Sequence, residues 1–289
     1  MNKYLVFLFS SVIAACGSPR TLDNPFYAFN NCMRTMVDCP EGVLDQVTLV
    51  SSLGFDALGG QETVDLEGLK DELDRRGMAL PEVYIGVYLR DGALVLPDNW
   101  EAMLSLFRGT ETLFALHVHV EGYAAREESI DSRLVREFTK LAKQAEEFQI
   151  QMGIYPHHAF YCETTQHARE LAVAVNHPRF GMTLNLCHLL KVEGAEGWEQ
   201  RVDGLIPQLK MVSIHGADDG DTQSMGWDRL IRPLGEGSFD TFRFVSYLRD
   251  KGYTGMFGLQ CYGIRQDCAE ALRKSQQAWR SFQTRYAEK

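Results

Sequence analysis

Three observations predict an α/β fold built as a closed (β/α)8 barrel. Short apolar runs alternate with amphipathic stretches of helical period along almost the whole chain. There are eight such runs, and no G-x-G-x-x-G turn follows the first of them. Alternation argues for a parallel sheet, eight units argue for closure, and the missing glycine turn argues against a dinucleotide-binding sheet. An open α/β sheet is the alternative.

Phe26 to Phe29 is the first strand candidate, and Val47 to Leu53 then leads into Phe55 to Leu58. Leu66 to Arg76 places Leu69 and Leu73 at helical spacing and ends at Gly77, a natural C-terminal stop, before the strand Val83 to Leu89. Trp100 to Phe107 precedes the strand Leu113 to Val120. Leu134 to Phe148 is the clearest amphipathic helix, apolar at 134, 138, 141, 142, 145 and 148, and Ile150 to Tyr155 is the strand after it. Thr165 to Val175 leads to Gly181 to Leu186. Trp198 to Leu209 leads to Met211 to Ile214, and Phe239 to Arg249 leads to Gly255 to Leu259. Cys268 to Tyr286 closes the pattern as a final helix.

Residues 1–15 hold one cation, Lys3, an apolar run from Tyr4 to Ala14 broken by two serines, and then small residues before Cys16, the layout of a secretory signal. The run is too short for a comfortable membrane span. Ile13-Ala14-Ala15-Cys16 resembles the lipobox of bacterial lipoproteins, in which the cysteine is lipidated and becomes the new N-terminus. That resemblance implies a lipid anchor at Cys16 as the only tie to a membrane. Gly17 differs from the aspartate that holds such proteins at an inner membrane, so the expected place is the outer membrane, facing the periplasm of a Gram-negative bacterium. Residues 16–289 then form one domain, since no low-complexity linker or composition shift divides them.

A net charge of −10 with the two signs interspersed leaves no basic stripe to follow a phosphate backbone, which argues against nucleic acid as a partner. An exported chain can oxidise its thiols, and Cys32 with Cys39, or Cys261 with Cys268, are the pairings considered. Free buried thiols are the alternative, because spacing does not fix connectivity.

Catalytic groups of a (β/α)8 barrel project from the C-terminal ends of its strands. Those ends carry, in order, Asn30 and Asn31, Gln61 and Glu62, Tyr88, His117 with His119 and Glu121, His157 with His158, Asn185 with His188, His215 with Asp218, and Gln260. One histidine at a strand end is usually a hydrogen-bonded structural residue. Four separate strands that end in a histidine or an amide just after an apolar run point to a shared site.

At these strand ends the chain resembles the xylose isomerase-like TIM barrels, also labelled sugar phosphate isomerase/epimerase. Their strand 5 ends in Glu, strand 6 in Asp with His three residues on, strand 7 in His and strand 8 in Glu. The matching phrases are Ile154-Tyr-Pro-His157, Leu184-Asn-Leu-Cys-His188, Val212-Ser-Ile-His-Gly-Ala-Asp218 and Gly258-Leu-Gln-Cys-Tyr-Gly263. Leu53-Gly-Phe-Asp56, Pro233-Leu-Gly-Glu-Gly-Ser-Phe-Asp240 and Ala278-Trp279 support the match.

The resemblance implies one divalent cation held by the acids and the histidine, with the two glutamates moving protons at adjacent carbons. This chain keeps the strand 7 histidine and has His157, Asn185 and Gln260 in place of the three acids. Each lost carboxylate removes an attraction to a dication on the order of several kcal/mol at close range. Two imidazoles with two amide oxygens, from His157, Asn185, His215 and Gln260, suit zinc, cobalt, manganese or iron better than magnesium. No organic cofactor is implied.

Gln260 cannot take a proton from carbon, so the base is sought among His157, His188, Glu163, Glu121 and Asp218, with His157, His188 and Glu163 foremost. His119, Glu121, Asp218, Trp227 and Arg232 are the expected substrate contacts. Phe26, Tyr27, Phe29, Tyr155, Phe160, Tyr161, Trp227 and Tyr262 also lie near strand ends, where core packing explains several of them. The expected protein is a sugar isomerase or epimerase acting on a non-phosphorylated sugar by proton transfer next to a carbonyl, with metal or histidine assistance. Two alternatives stand beside it: a metal-dependent lyase or hydrolase acting on 3-keto-glycosides, and a sugar-binding barrel without catalysis. DNA repair, known among relatives of this barrel, is disfavoured by the acidic balance and the export signal.

Overall fold

The computed structural model describes residues 20–122 and 126–289, so residues 1–15 and Cys16 lie outside it. Eight parallel strands close on themselves: β1 (Phe26–Phe29), β2 (Ala57–Gln61), β3 (Glu82–Arg90), β4 (Leu113–Val120), β5 (Gln151–Ile154), β6 (Phe180–Asn185), β7 (Leu209–Ile214) and β8 (Phe257–Leu259). Each pairs with its successor, and β8 returns to β1 with Gly258 opposite Tyr27. Closure leaves no open edge. The longest ladder joins β3 to β4, from Glu82 opposite Leu113 to Leu89 opposite Val120.

The helices that return the chain are α1 (Val43–Leu53), α2 (Leu66–Arg75), α3 (Trp100–Leu106), α4 (Glu128–Phe148), α5 (Thr165–Val175), α6 (Trp198–Val202), α7 (Thr241–Asp250) and α8 (Cys268–Ala287). Four of them start on a side chain that accepts a backbone N–H of the first turn: Asp65, Thr164, Asp240 and Asp267. Such caps contribute about 1 kcal/mol each. α6 is shorter than the apolar pattern predicts. Gly204 takes a φ of 79° just past it, and Pro207 then starts a separate 3-10 turn at Ile206–Gln208. β2 runs three residues further than expected, because Gly59 and Gly60 belong to the strand. A side chain at Gly59 would meet the Phe29 ring at 2.7 Å, so close packing rather than a turn requires glycine there.

One feature was not anticipated. β3 folds back at Asp91-Gly92, both at positive φ, into a short antiparallel strand, Ala93–Val95. Two consecutive residues at positive φ with the Asp-Gly sequence make a tight hairpin turn.

Neither of the local disulfides considered is formed. Cys32 pairs with Cys261, and Cys39 with Cys268, each across 229 residues. Closure explains the change: β1 and β8 are neighbours, so the turn after β1 (Asn30–Arg34) lies against the loop after β8. Cys162 and Cys187 are free and buried. Below this seam Phe26 stacks on Trp279 of α8 at 4.7 Å, and Phe257 lies 5.3 Å from the same indole. Phe26, Tyr27 and Phe29 are thus core residues. Glu82, fully buried in the barrel, accepts a hydrogen bond from the Tyr27 hydroxyl at 2.5 Å, and burial pushes its carboxyl up to about 8.

Candidate active site

A cavity of about 760 Å3 opens at the C-terminal ends of the strands. One wall is polar and comes from β1, β2 and β8: Asn31, Arg34, Gln61, Glu62 and Gln260. Among the described residues Glu62 is the only carboxylate on the cavity lining. Its Oε1 accepts the Gly86 N–H at 3.2 Å, and its Oε2 is buried with no partner. Burial raises its pKa, and the Gly86 bond opposes that only in part. Gly86 makes room for the arrangement. A side-chain carbon there would lie 3.0 Å from His117 Cε1 and 3.3 Å from Glu62 Oε1. Asn31 Oδ1 and Gln61 Nε2 are likewise buried and unpartnered.

The other wall is a row of rings from β3 to β7. Tyr88 stacks on His119 at 4.5 Å, His119 lies 4.1 Å from Phe160, Phe160 stacks on His157 at 4.0 Å, and His157 lies 3.9 Å from His188. Trp227 ends the row, 5.7 Å from the His188 ring. Burial keeps these imidazoles neutral: it pushes His117 down to about 3, His157 to about 4, and His188 well below the usual range.

The hydrogen bonds fix what each imidazole offers. His157 Nδ1 lies 2.7 Å from the His158 carbonyl oxygen, so Nδ1 carries the proton and Nε2 keeps a free lone pair. His188 accepts the His158 N–H at Nδ1, so its Nε2 donates to the Tyr155 hydroxyl at 3.0 Å. Asn185 Nδ2 donates to the same hydroxyl at 2.9 Å. Both nitrogens of His188 are therefore engaged, and it positions the His157–His158 turn instead of standing free as a base.

The remaining expected residues separate in space. Gln260 lines the cavity, with its Oε1 accepting the Tyr262 N–H at 3.1 Å, and Trp227 lines it at the mouth. Glu163 accepts the N–H of Ala159, a non-glycine residue at φ 66°, and so braces the turn that carries His157 and Phe160. His119 sits behind His117, with their nitrogens 2.9 Å apart. Glu121 is exposed, 3.6 Å from Arg90, and does not line the cavity. Asp218 binds Arg229 and Arg232, each at 2.9 Å, and both guanidiniums hold its carboxyl below the usual range. Arg232 is thereby a loop anchor and does not line the cavity. His215 is fully buried, donates from Nδ1 to the Gly216 carbonyl at 2.9 Å, and has no partner at Nε2. Tyr161 binds Asp131, which also holds His167 at 2.8 Å, and this group ties the turn to α4.

A barrel of eight parallel strands with its cavity at their C-terminal ends agrees with the match of residues 47–282 to the family model described as xylose isomerase-like TIM barrel. The chain belongs to this family. No curated protein resembles it closely enough in sequence to count as a relative. Solved structures share its fold. One is the IolI protein with a bound zinc atom, TM-score 0.71, 13% identical, covering 91% of this chain and 99% of that one. Another is L-ribulose 3-epimerase, TM-score 0.69, 14% identical, covering 92% and 96%. A third is 3-keto-D-glucoside 4-epimerase from E. coli, TM-score 0.66, 15% identical, covering 89% and 99%.

The zinc in the first of these shows that a divalent metal is compatible with this architecture. The four residues expected from the sequence as ligands, His157, Asn185, His215 and Gln260, bring no carboxylate. Asn185 Oδ1 already accepts from the backbone N–H and the thiol of Cys187, and Gln260 Oε1 accepts from Tyr262. Among the described residues no three His, Cys, Asp or Glu side chains converge as a metal site. These residues do not fit the family's metal.

Sequence reasoning placed Glu62 at a strand end without giving it a role. The signal was present: it is the first acid after β2, immediately past the polar Gln61. Arg34 gave no such signal, because it reaches the cavity from the turn after β1.

Proposed function

We propose that this chain is a sugar-processing enzyme of the isomerase or epimerase kind, acting on a non-phosphorylated sugar by moving a proton next to its carbonyl, with Glu62 as the base. One observation carries the reading: Asn31 Oδ1, Gln61 Nε2 and Glu62 Oε2 are buried and unpartnered on residues that line one cavity. Each such atom costs roughly 1–3 kcal/mol while it lacks a hydrogen bond. A polyhydroxylated ligand supplies the donors and acceptors for all three.

The chemistry follows from the two walls. Glu62, with a carboxyl raised by burial, is a stronger base than an exposed glutamate and takes the proton from the carbon beside the carbonyl. Negative charge develops on the carbonyl oxygen, where the Gln61 amide and the Arg34 guanidinium offer N–H donors. His157, three strands round the barrel from Glu62, holds the free Nε2 lone pair that exchanges a proton on the other side of the substrate. Where the family has two glutamates, this site offers a glutamate and an imidazole.

Export supports the choice of an unphosphorylated substrate. Two disulfides fit an oxidising compartment, in keeping with a lipid anchor at Cys16 and a place at the outer membrane facing the periplasm. Loss of metabolic palmitate label in Cys16→Ser, and its retention in the parent, checks the anchor.

The test of the activity is solvent-deuterium incorporation into a panel of free ketoses and keto-sugars, followed by NMR. Exchange is expected with at least one sugar, lowered about 100-fold or more in Glu62→Gln and unaffected by EDTA. Undiminished exchange in Glu62→Gln removes the assigned base. Exchange abolished by EDTA and restored by a transition metal returns the site to metal chemistry.

A further inference from the structure

We propose that the outer part of the cavity is a subsite for a flat, apolar aglycone, so that the substrate is a glycoside whose sugar ring itself carries the carbonyl, a keto-glycoside, and not a lone monosaccharide. The inference rests on the sugar reading of the inner part. Of the three exposed large aromatic side chains among the described residues, Trp227 at 39% and Tyr262 at 53% exposure line the cavity, and Tyr88 at 36% stacks on His119 beside it. The other exposed large hydrophobics, Val37, Leu44, Val95 and Val173, are aliphatic. Trp227 and Tyr262 both line the cavity, one from the loop after β7 and the other from the loop after β8.

Their positions are held. Trp227 packs 5.7 Å from both the His158 and His188 rings, and the Tyr262 backbone is fixed by the Gln260 side chain. Two rings kept partly in water on the neighbouring loops after β7 and β8 retain apolar faces that a planar ligand group can cover. Polarity is graded with depth. The unpartnered atoms of Asn31, Gln61 and Glu62 are buried, and the ring faces are at the rim. About 760 Å3 falls within the roughly 300–1,000 Å3 typical of sites for ligands much larger than one sugar ring. A polyol head with a flat apolar tail matches this gradient along its whole length.

The test is calorimetric binding of paired methyl and 4-nitrophenyl glycosides of glucose, galactose, mannose and xylose to the full chain. For at least one sugar the aryl glycoside is expected to bind about tenfold or more tightly than its methyl partner. Trp227→Ala and Tyr262→Ala each reduce aryl affinity about five- to tenfold and leave methyl affinity within about twofold. Both side chains are partly exposed, and circular dichroism confirms that each variant keeps the fold. Equal binding of aryl and methyl partners, equal weakening of both in the variants, or no glycoside binding at all overturns the subsite. Deuterium exchange into free sugars with no aryl preference overturns this inference and leaves the activity standing. An aryl preference without exchange into any sugar does the reverse.

Discussion

The two walls of the cavity are fastened in different ways. The polar wall comes from β1, β2 and β8, and the loops after β1 and β8 are tied covalently. Cys32 sits between Asn31 and Arg34, and its partner Cys261 sits between Gln260 and Tyr262. The ring wall has no covalent tie. Its turn at His157–Phe160 is held by Glu163, by Nδ1 of His188, and by the Tyr161–Asp131–His167 group on α4 and α5. The fastened part of that wall lies at the seam where the chain ends meet, and there Asn31, Arg34 and Gln260 would otherwise depend on pairing between segments more than 200 residues apart. The ring wall draws on consecutive βα units, for which short loops and many weak contacts suffice.

The largest expected effect breaks the seam. In the chain-entropy picture, one bridge across 229 residues stabilises by about 5 kcal/mol, and the second then closes a ring of only about sixteen residues for about 3 more. Removing either pair, Cys32→Ala with Cys261→Ala or Cys39→Ala with Cys268→Ala, is therefore expected to cost about 3 kcal/mol in denaturant unfolding. Removing both is expected to cost about 8. Simple additivity of the two pairs contradicts the ladder arrangement.

Beneath the polar wall, Glu82 and Tyr27 set a pH dependence of stability. The folded carboxyl titrates near 8 and the unfolded one near its ordinary 4.5. Between those values the folded chain keeps a proton that the unfolded chain has lost, so stability falls as pH rises through this window, at up to about 1.4 kcal/mol per unit. Unfolding midpoints measured from pH 5 to 8 show the slope, and Glu82→Gln flattens it.

A smaller effect separates the two walls in catalysis. Glu62 works deprotonated and its pKa is raised, so the exchange rate rises with pH through a value above the ordinary carboxylate range. Neutral His157 adds no limb above about pH 4. Rate profiles of the parent and His157→Gln then share the Glu62 limb and differ in height. The smallest effect is on the ring wall's support. Tyr161→Phe loses its hydrogen bond to Asp131, at a cost of about 1 kcal/mol in unfolding free energy, without moving the pH profile.

Much of the fold was legible because the apolar period reports burial directly, and seven of the eight strand candidates match their strands to within two residues at either end. The exception, β2, was cut short because Gly59-Gly60 reads as a turn unless one knows that Phe29 packs against it. The site was legible by strand end but not by depth. Nothing local distinguishes Glu62, whose free oxygen faces the cavity, from Glu121, which lies in solvent beside Arg90. Likewise Asp218 and Arg232 lie near the right strand, and only the folded loop shows that they neutralise one another. Cysteine connectivity was not legible for the same reason, since proximity in sequence is a poor guide once strand 8 lies beside strand 1.

That pairing bears on how the protein must be made. Cys32 and Cys39 leave the ribosome and cross any membrane together, seven residues apart, long before either native partner. An early oxidant meets the wrong pair first. The correct bonds become available only after all eight βα units have been synthesised and β8 has reached β1. A chain with Cys32 joined to Cys39 must be reopened by thiol exchange before its seam can be sealed. The two bridges thus serve as a seal on a finished barrel, and production of this protein should depend on a disulfide isomerase more than on the supply of oxidant.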